Sequence, residues 1–236
     1  MSAPKKNYTV IICSYNKLEH LKITSKRIQD IRPENEIILS DDCSSDNTIE
    51  WAKQSKIFSK IYKKEKREPY CLCSIRNEGI KMSTNSHVVF LDADCYIHEN
   101  YFIGHDEIFN INQNYISVGF TDHFNSDGNK IILEDTRKSY LNGKYFCEIS
   151  YHDAFGGNIA FPKEVFNKIG LFDENFNGFW GYEDLDMAYR SIKSGFKLFM
   201  HIFTLVKHLE HPISRDFECS NIYGRNYNYF KNKHSL

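Results

Sequence analysis

Short apolar runs alternate with helical patterns in the first half of the chain, and this alternation constrains the fold more than any other feature. β-branched and apolar residues fill Tyr8–Ile12, Glu36–Ser40 and Ser86–Leu91, and the amphipathic stretch Leu18–Ile31 follows the first run. Strands that alternate with helices form βαβ units, in which the strands run parallel. We therefore predict an α/β fold with a mixed, mostly parallel sheet flanked by helices. The alternation of strand and helix patterns is less clear over residues 115–153.

The composition is that of a globular protein that lacks a basic excess. With 41% hydrophobic and 15% aromatic residues, the chain can bury a large core. The formal net charge of −1 does not favour a nucleic-acid partner. No apolar run approaches the roughly 20 residues that span a bilayer, and the N-terminus lacks a signal-peptide core. Seven cysteines, an odd number, suggest reduced thiols in a cytoplasmic protein.

Two carboxylates, Asp92 and Asp94, flank Ala93 directly after the apolar run Ser86–Leu91. Open α/β sheets bind ligands at the carboxyl ends of their strands. Carboxylate oxygens at that edge suit Mg²⁺ or Mn²⁺, and the cation could hold the phosphates of a substrate. The alternative is a pair of loop acids that cap the next segment, because Asp-x-Asp alone is common.

Further polar residues end the other predicted strands, at Tyr15-Asn16 and at Asp41-Asp42. A nucleotide in this crevice needs a flat face for its base and an acceptor for the base N–H, which Tyr15 and Asp42 could supply. The alternative for the two aspartates is a turn, which Asp favours. Arg76, early in a predicted helix, could hold a diphosphate oxygen or orient Asp92, or it could be an exposed helix residue.

The segment Phe179–Asp184 combines aromatic rings with two acids at the start of a predicted helix. Aromatic faces pack against the C–H face of a sugar. The helix dipole favours the ionised form of an acid at this position, and such a carboxylate could act as a general base on an acceptor hydroxyl. Ordinary helix capping by acids is the alternative. Asp186 and Arg190, spaced i, i+4, are interpreted as a pair on the helix surface.

His208 follows the apolar run Phe203–Val206, and His211 comes shortly after it. A histidine here could complete a metal shell that Asp94 begins. The sequence does not decide between His208 and His211 as the ligand, and a lone histidine is more often structural.

Motifs spread from about Tyr8 to Pro212 together resemble the family 2 glycosyltransferases of the GT-A fold. Cys13 departs from the pattern, because many members carry Pro or Thr there. Pro69–Gly79 closely resembles a stretch of bacterial chondroitin polymerases, and His208 matches their metal-binding histidine. The motifs are Val10–Lys17, Ser40–Ser44, Pro69–Gly79, Asp92–Asp94, Gly156–Phe161, Gly170–Glu174 and Trp180–Asp184.

The resemblance implies a single GT-A domain over residues 1–236, with a nucleotide-sugar half (about 1–120) and an acceptor half (about 121–236). It implies transfer of a hexose or N-acetylhexosamine from a UDP-sugar to a hydroxyl of a glycan or glycoconjugate, with Mn²⁺ or Mg²⁺. The implied residues are Cys13, Tyr15, Asp42, Arg76, Asp92 and Ala93 for the donor, Asp94 and His208 for the metal, Trp180 and Glu183 for the acceptor, and Asp184 as catalytic base.

The acid at Asp184 favours an inverting reaction. The same segment resembles β-1,4-galactosyltransferases, which use this Asp as base, whereas retaining polypeptide N-acetylgalactosaminyltransferases carry Asn in its place. In-line attack by a neutral hydroxyl needs a carboxylate on the face opposite the leaving group.

The sequence leaves two other functions open. A sugar nucleotidyltransferase can share the fold, but it would need a Gly-rich basic phosphate loop, and Cys13–Leu18 is not one. A catalytically inactive binding or scaffold protein is the other. The donor sugar, the acceptor and the oligomeric state are not identified. The aromatic and basic tail Tyr223–Lys233 either contacts the inner face of a membrane peripherally or packs on the domain as coil.

Overall fold

The computed structural model describes residues 4–210 and 224–236. The strands are β1 Tyr8–Ser14, β2 Glu36–Asp41, β3 Lys60–Lys63, β4 His87–Asp92, β5 Cys95–Ile97, β6 Tyr115–Phe124, β7 Ile131–Leu133, β8 Phe146–Ile149, β9 Asn158–Pro162 and β10 Lys197–Leu209. The α-helices are α1 Leu18–Ile31, α2 Thr48–Ser55, α3 Leu72–Met82, α4 Tyr101–Ile111, α5 Glu164–Ile169, α6 Glu183–Lys193 and α7 Arg225–His234. Short 3₁₀ turns occupy Thr136–Leu141, Tyr151–Asp153 and Glu174–Phe176.

The described strands form one sheet in the order β3-β2-β1-β4-β9-β6-β10-β5, with β7 paired to β6 and β8 paired to β10. β1 runs parallel to β2 and β4, and β2 runs parallel to β3, as βαβ units require. β9 joins antiparallel to both β4 and β6. The sheet is therefore mixed, and its longest ladders are parallel. The α/β fold expected from the sequence is confirmed.

Each face of the sheet packs on its own hydrophobic cluster. Side chains alternate between the two faces of a strand. Val10 and Ile12 of β1 accordingly join a cluster with α1, α2 and α4, whereas Ile11 and Cys13 join a cluster with α3, α5 and α6. Because both faces are buried, β1 is apolar from Val10 to Cys13 and ends in the polar Ser14. This arrangement places the site at the carboxyl ends of the central strands.

The region 115–153, in which the sequence pattern loosens, contains β6, β7 and β8. Gly119 in β6 shows why the pattern fails, because a Cβ there would lie 2.1 Å from Asn158 Nδ2. That amide donates hydrogen bonds to the carbonyls of Phe120 and Thr204. A polar bridge between strands therefore replaces an apolar contact, and no alternation of residue types marks the strand.

The C-terminal residues contradict two expectations. Arg225–His234 is helix α7 rather than coil. Asp186 is fully buried beneath it, accepts a hydrogen bond from Arg190 Nε at 2.8 Å and lies 2.8 Å from His234 Nε2, so the prediction of a surface pair is wrong. His211 and Tyr223 lie outside the described residues. Within residues 4–210 and 224–236, no helix has both the length and the apolar character needed to cross a bilayer.

Candidate active site

A cleft of about 230 Å³ opens at the carboxyl ends of β1, β2 and β4. We call it the donor cleft, after the residues that the sequence predicts for a donor. It brings together five of the residues predicted to bind the donor, and Asp94 with them, because parallel strands end at the same edge of the sheet. These six residues are Cys13, Tyr15, Asp42, Asp92, Ala93 and Asp94.

Asp42 forms one end of the donor cleft. Its side chain is only 8% exposed, and its Oδ1 has no hydrogen-bond partner among the described residues. Burial raises the pKa of Asp42, and the nearby charges of Lys64 and Arg67 partly offset this effect. Tyr15 lies close by, with the Arg67 guanidinium 3.8 Å from the centre of its ring. A buried carboxylate oxygen without a partner is what a ligand N–H would satisfy.

The neighbouring acid, Asp41, has a structural role. Its carboxylate accepts hydrogen bonds from Ser44 N at 2.7 Å and from Ser44 Oγ at 2.5 Å, which closes the turn after β2. The turn interpretation therefore applies to Asp41, whereas Asp42 lines the cleft.

Cys13 and Ala93 hold the floor of the donor cleft through their backbones. Ala93 N donates to Cys13 O at 3.1 Å, and Ala93 O accepts from Thr24 Oγ1 at 2.8 Å. Burial raises the pKa of the Cys13 thiol to about 12, so the thiol stays protonated near neutral pH. Both backbone polar groups of Ala93 are thus used within the protein, and its contact with a donor would be through its methyl group.

Asp94 and His208 come together from the first and second halves of the chain. His208 lies inside β10, which extends beyond the apolar run to Leu209. It pairs with Cys95, the neighbour of Asp94 in the sequence. Asp94 Oδ1 is 3.5 Å from His208 Nε2, and Asp94 Oδ2 is 3.7 Å from Lys17 Nζ. Two ligands of one Mg²⁺ or Mn²⁺ ion, each bound at about 2.1 Å, lie about 3 Å apart.

The Asp94–His208 pair therefore fits a divalent cation in spacing and in ligand chemistry. Within the described part of the chain, no group of three or more His, Cys, Asp or Glu side chains is arranged to hold a metal ion. A cation at this pair would take its other ligands from the donor phosphates and water, which is usual for Mg²⁺ at phosphate sites.

A second cleft, of about 350 Å³, adjoins the first, and both are lined by Leu72 and Asp92. We call it the acceptor cleft, after the residues that the sequence predicts for an acceptor. Trp180, Glu183 and Asp184 line it, as predicted for the acceptor side. The Trp180 side chain is 46% exposed, which leaves much of its surface accessible to a sugar.

Arg76 faces the acids of the acceptor cleft. It is 1% exposed, so the interpretation as a surface residue is wrong. Its Nη1 lies 2.6 Å from Asp184 Oδ1 and 3.8 Å from Glu183 Oε1. The guanidinium also lies near the ring of Phe172, 5.2 Å from its centre. Arg76 lines the acceptor cleft rather than the donor cleft, and its predicted contact with the donor stays a prediction.

Two glycines make room for the acids, a role that the sequence did not reveal. Gly156 N donates to Asp184 Oδ2 at 2.8 Å, and a Cβ on Gly156 would lie 1.9 Å from Asp184 Oδ1. A Cβ on Gly157 would lie 2.5 Å from Asp92 Oδ2. The backbone thus passes directly against both carboxylates. The Gly-Gly pair in a conspicuous motif was the available signal.

Glu183 differs from the expectation for an acid at a helix start. Burial raises the pKa of Glu183 to about 8, the negative charge of Asp184 adds to this rise, and Arg76 opposes it. Near neutral pH the carboxyl is therefore largely protonated and able to donate a hydrogen bond. The helix dipole favours the ionised form of an acid at this position, but for Glu183 desolvation outweighs the dipole.

Two family models and several known proteins are similar to this chain. The family model described as "Glycosyl transferase family 2" matches residues 9–170, and a second model, "N-terminal domain of galactosyltransferase", matches residues 138–212. A chondroitin synthase of Escherichia coli is 24% identical over 92% of this chain and 37% of its own length. A chondroitin synthase of Pasteurella multocida is 28% identical over 79% of this chain and 23% of its own length. The chain thus spans well under half of either relative.

Solved structures share the fold at lower identity. A structure of GalNAc-T7 with UDP, GalNAc and Mn²⁺ has a TM-score of 0.74 and 20% identity, over 96% of this chain and 48% of that one. Staphylococcus aureus TarS (1–349) with UDP-GlcNAc has a TM-score of 0.66 and 15% identity, over 88% of this chain and 60% of that one. With the family 2 model matching more than half of its residues, the chain belongs to the family 2 glycosyltransferases.

Proposed function

We propose that this glycosyltransferase moves a hexose or N-acetylhexosamine from a UDP-sugar to a hydroxyl of a glycan or glycoconjugate, with inversion at the anomeric carbon. The observation that carries the proposal is the junction of two clefts at Asp92. One cleft holds a buried carboxylate oxygen without a partner, and the other holds a fixed carboxylate. The junction is where a sugar bound to UDP would meet an acceptor.

The donor is proposed from the chemistry of the first cleft. Asp42 Oδ1 would accept the N–H of uracil, and Tyr15 would pack against the base. Cys13 and Ala93 would form the floor, and Asp92 would contact the ribose side of the donor. UDP in the structure of GalNAc-T7 and UDP-GlcNAc in that of TarS, both relatives in fold, support a uridine diphosphate donor.

Asp94 and His208 would hold the divalent cation, for which Mn²⁺ and Mg²⁺ both suit the ligands. Bound there, the cation would neutralise negative charge on the departing UDP. Lys17, 3.7 Å from Asp94, adds positive charge to the same end of the cleft. The Mn²⁺ in the structure of GalNAc-T7 supports a divalent ion without choosing between the two.

Asp184 is proposed as the catalytic base. Arg76 and Gly156 N each contact one of its oxygens, which fixes the carboxylate and leaves lone pairs for an acceptor proton. As Asp184 takes that proton, the hydroxyl oxygen attacks the anomeric carbon and the bond to UDP breaks. Trp180 would pack against the acceptor sugar, and protonated Glu183 would donate a hydrogen bond to it.

We also propose that residues 1–236 act as one domain with donor and acceptor halves. The interleaved sheet order supports a single unit. His208 comes from the second half in sequence but faces Asp94 on the donor side, so the halves are better defined by cleft than by position along the chain. A cytoplasmic location and a peripheral membrane contact stay predictions.

A screen of UDP-sugars tests the proposal. UDP-hexoses, UDP-N-acetylhexosamines and a UDP-hexuronic acid would each be incubated with Mn²⁺, with and without a chondroitin oligosaccharide as acceptor. We expect one donor to be consumed with release of UDP, and Asp184→Asn to lose transfer. Release of pyrophosphate from UTP and a sugar 1-phosphate would instead identify a nucleotidyltransferase. Absence of turnover with every donor would contradict the proposal.

A further inference from the structure

The first turn of α7 reaches the loop that carries Trp180. Asn226 is 1% exposed, and its side-chain Nδ2 lies within hydrogen-bond distance of three backbone carbonyls. These are Phe176 O at 3.0 Å, Phe179 O at 3.1 Å and Gly181 O at 2.9 Å. One amide group with two N–H donors is thus shared among three acceptors that flank Trp180 on both sides.

The loop needs such support because its backbone turns sharply. Gly178, Gly181 and Tyr182 have φ angles of 92°, 88° and 72°, in the left-handed region that residues other than glycine rarely adopt. In addition, Gly178 N donates to Pro69 O at 3.1 Å. The Trp180 loop (residues 177–182) is therefore held between the segment before α3 and the first turn of α7.

Helix α7 is itself firmly attached to the domain. Phe230 is buried in the cluster on that face of the sheet. Lys233 Nζ lies 2.6 Å from Asp173 Oδ2 and 2.8 Å from Asp186 Oδ1, and Tyr229 OH donates to Asp173 at 2.8 Å. These contacts fix the helix from which Asn226 extends.

We infer that Asn226 is a positioning residue of the acceptor site. Through the carbonyls of Phe179 and Gly181 it holds Trp180 over the acceptor cleft, and it fixes the turn that starts α6 with Glu183 and Asp184. The ligand for which Trp180 is held in place is a saccharide that packs on the indole ring. That last step rests on the proposed function, whereas the effect of Asn226 on the loop does not.

The test compares Asn226→Ala with Asn228→Ala. Asn228 is an exposed residue of the same helix, which makes it a matched control. Hydrogen–deuterium exchange of residues 177–183 would be followed in both variants without ligand. Loss of the shared hydrogen bonds should speed exchange there about tenfold in Asn226→Ala and leave Asn228→Ala like wild type. Affinity for UDP with Mn²⁺ should be unchanged in both.

Transfer kinetics give the second readout, with the chondroitin oligosaccharide as acceptor. Asn226→Ala should raise the KM for the acceptor about tenfold, and Asn228→Ala should leave it at the wild-type value. Asn226→Asp, which keeps the shape but loses the donors, should behave like Asn226→Ala.

Several results would overturn the inference. One is exchange in residues 177–183 that is no faster in Asn226→Ala and Asn226→Asp than in Asn228→Ala. Loss of UDP binding in both Asn226 variants would equally overturn it, because it would show a role in the stability of the whole domain. A wild-type protein that transfers nothing to saccharides would contradict the proposed function, and the exchange data would still decide whether Asn226 holds the loop.

Discussion

The two clefts are built in different ways. Most of the predicted residues of the donor cleft lie at the ends of β1, β2 and β4, so they follow from local sequence and from the alignment of parallel strands. The pair of Asp94 and His208 is the exception, because it joins distant segments. The acceptor cleft depends on contacts between distant segments: Arg76 and Asp184 are 108 residues apart, and Asn226 and Gly181 are 45 apart. Substitutions in the donor cleft should therefore each have a separate effect. A substitution in the acceptor cleft should also displace the other residues of that cleft.

The largest effect is expected from Gly156→Ala. The added methyl group would lie 1.9 Å from Asp184 Oδ1, so the carboxylate must move away from both Gly156 N and the acceptor. We expect transfer to fall about 100-fold or more, which is the usual contribution of a general base, while UDP affinity stays nearly unchanged.

Gly157→Ala provides the contrast, because its methyl group would displace Asp92, which lines both clefts. It should weaken UDP binding and transfer together. Steady-state kinetics and UDP titration of both variants check the difference. If Gly156→Ala weakened UDP binding as much as Gly157→Ala does, the separation of the two clefts would be wrong.

A smaller effect, confined to the donor cleft, is expected from Asp42→Ala. Removal of the buried acceptor should weaken UDP binding about tenfold, because one hydrogen bond to a charged group is lost. The kcat at saturating donor should stay close to that of wild type. Asp42→Asn, which keeps a carbonyl acceptor, should lose less affinity. Equal losses in the two variants would show that the side chain does not bind the base.

These cases show what the sequence could predict. Tyr15, Asp42, Asp92 and Asp94 were identifiable because each follows an apolar strand, and strand ends meet at one edge of the sheet. Arg76 was identifiable as a candidate, but its partner was not, since helix patterns do not show which distant side chain a buried guanidinium meets. The contact between Arg76 and Asp184 is evident only in the folded chain.

The Gly-Gly motif marked Gly156 but not its contact with Asp184, and nothing in the sequence marked Asn226. A glycine that leaves room for a carboxylate has the same sequence appearance as a glycine that makes a turn. An asparagine that spans three carbonyls cannot be told from the exposed Asn228 two residues away. Strand β6 was missed for a similar reason, because the polar bridge through Asn158 replaces an apolar contact. Strands β7 and β8, of three and four residues, are too short to show an alternation.

The smallest expected effect is on stability, from Glu183→Gln. The folded-state pKa of about 8 lies above the ordinary value of 4.5, so ionisation of this carboxyl opposes folding once the pH exceeds the ordinary value. The wild-type free energy of unfolding should therefore fall relative to that of the variant as the pH rises from about 5 to about 8, by roughly 1 kcal/mol or more.

Denaturant titrations at several pH values measure this difference. Glu164→Gln is the matched control, because Glu164 lies in the first turn of α5 and is exposed. A change with pH that appears in both variants would not come from the burial of Glu183. A pH-independent difference for Glu183→Gln would show that burial does not keep this carboxyl protonated.

Isothermal titration of UDP, with Mn²⁺ and with EDTA, into wild type, His208→Ala and Asp184→Asn tests the division between donor and acceptor chemistry most directly. Wild type and Asp184→Asn should bind UDP more tightly with Mn²⁺, and His208→Ala should lose about tenfold or more of that gain. UDP binding by wild type that is indifferent to Mn²⁺, or an Asp184→Asn variant that loses UDP together with transfer, would contradict the assignment of Asp94 and His208 to the cation and of Asp184 to the acceptor.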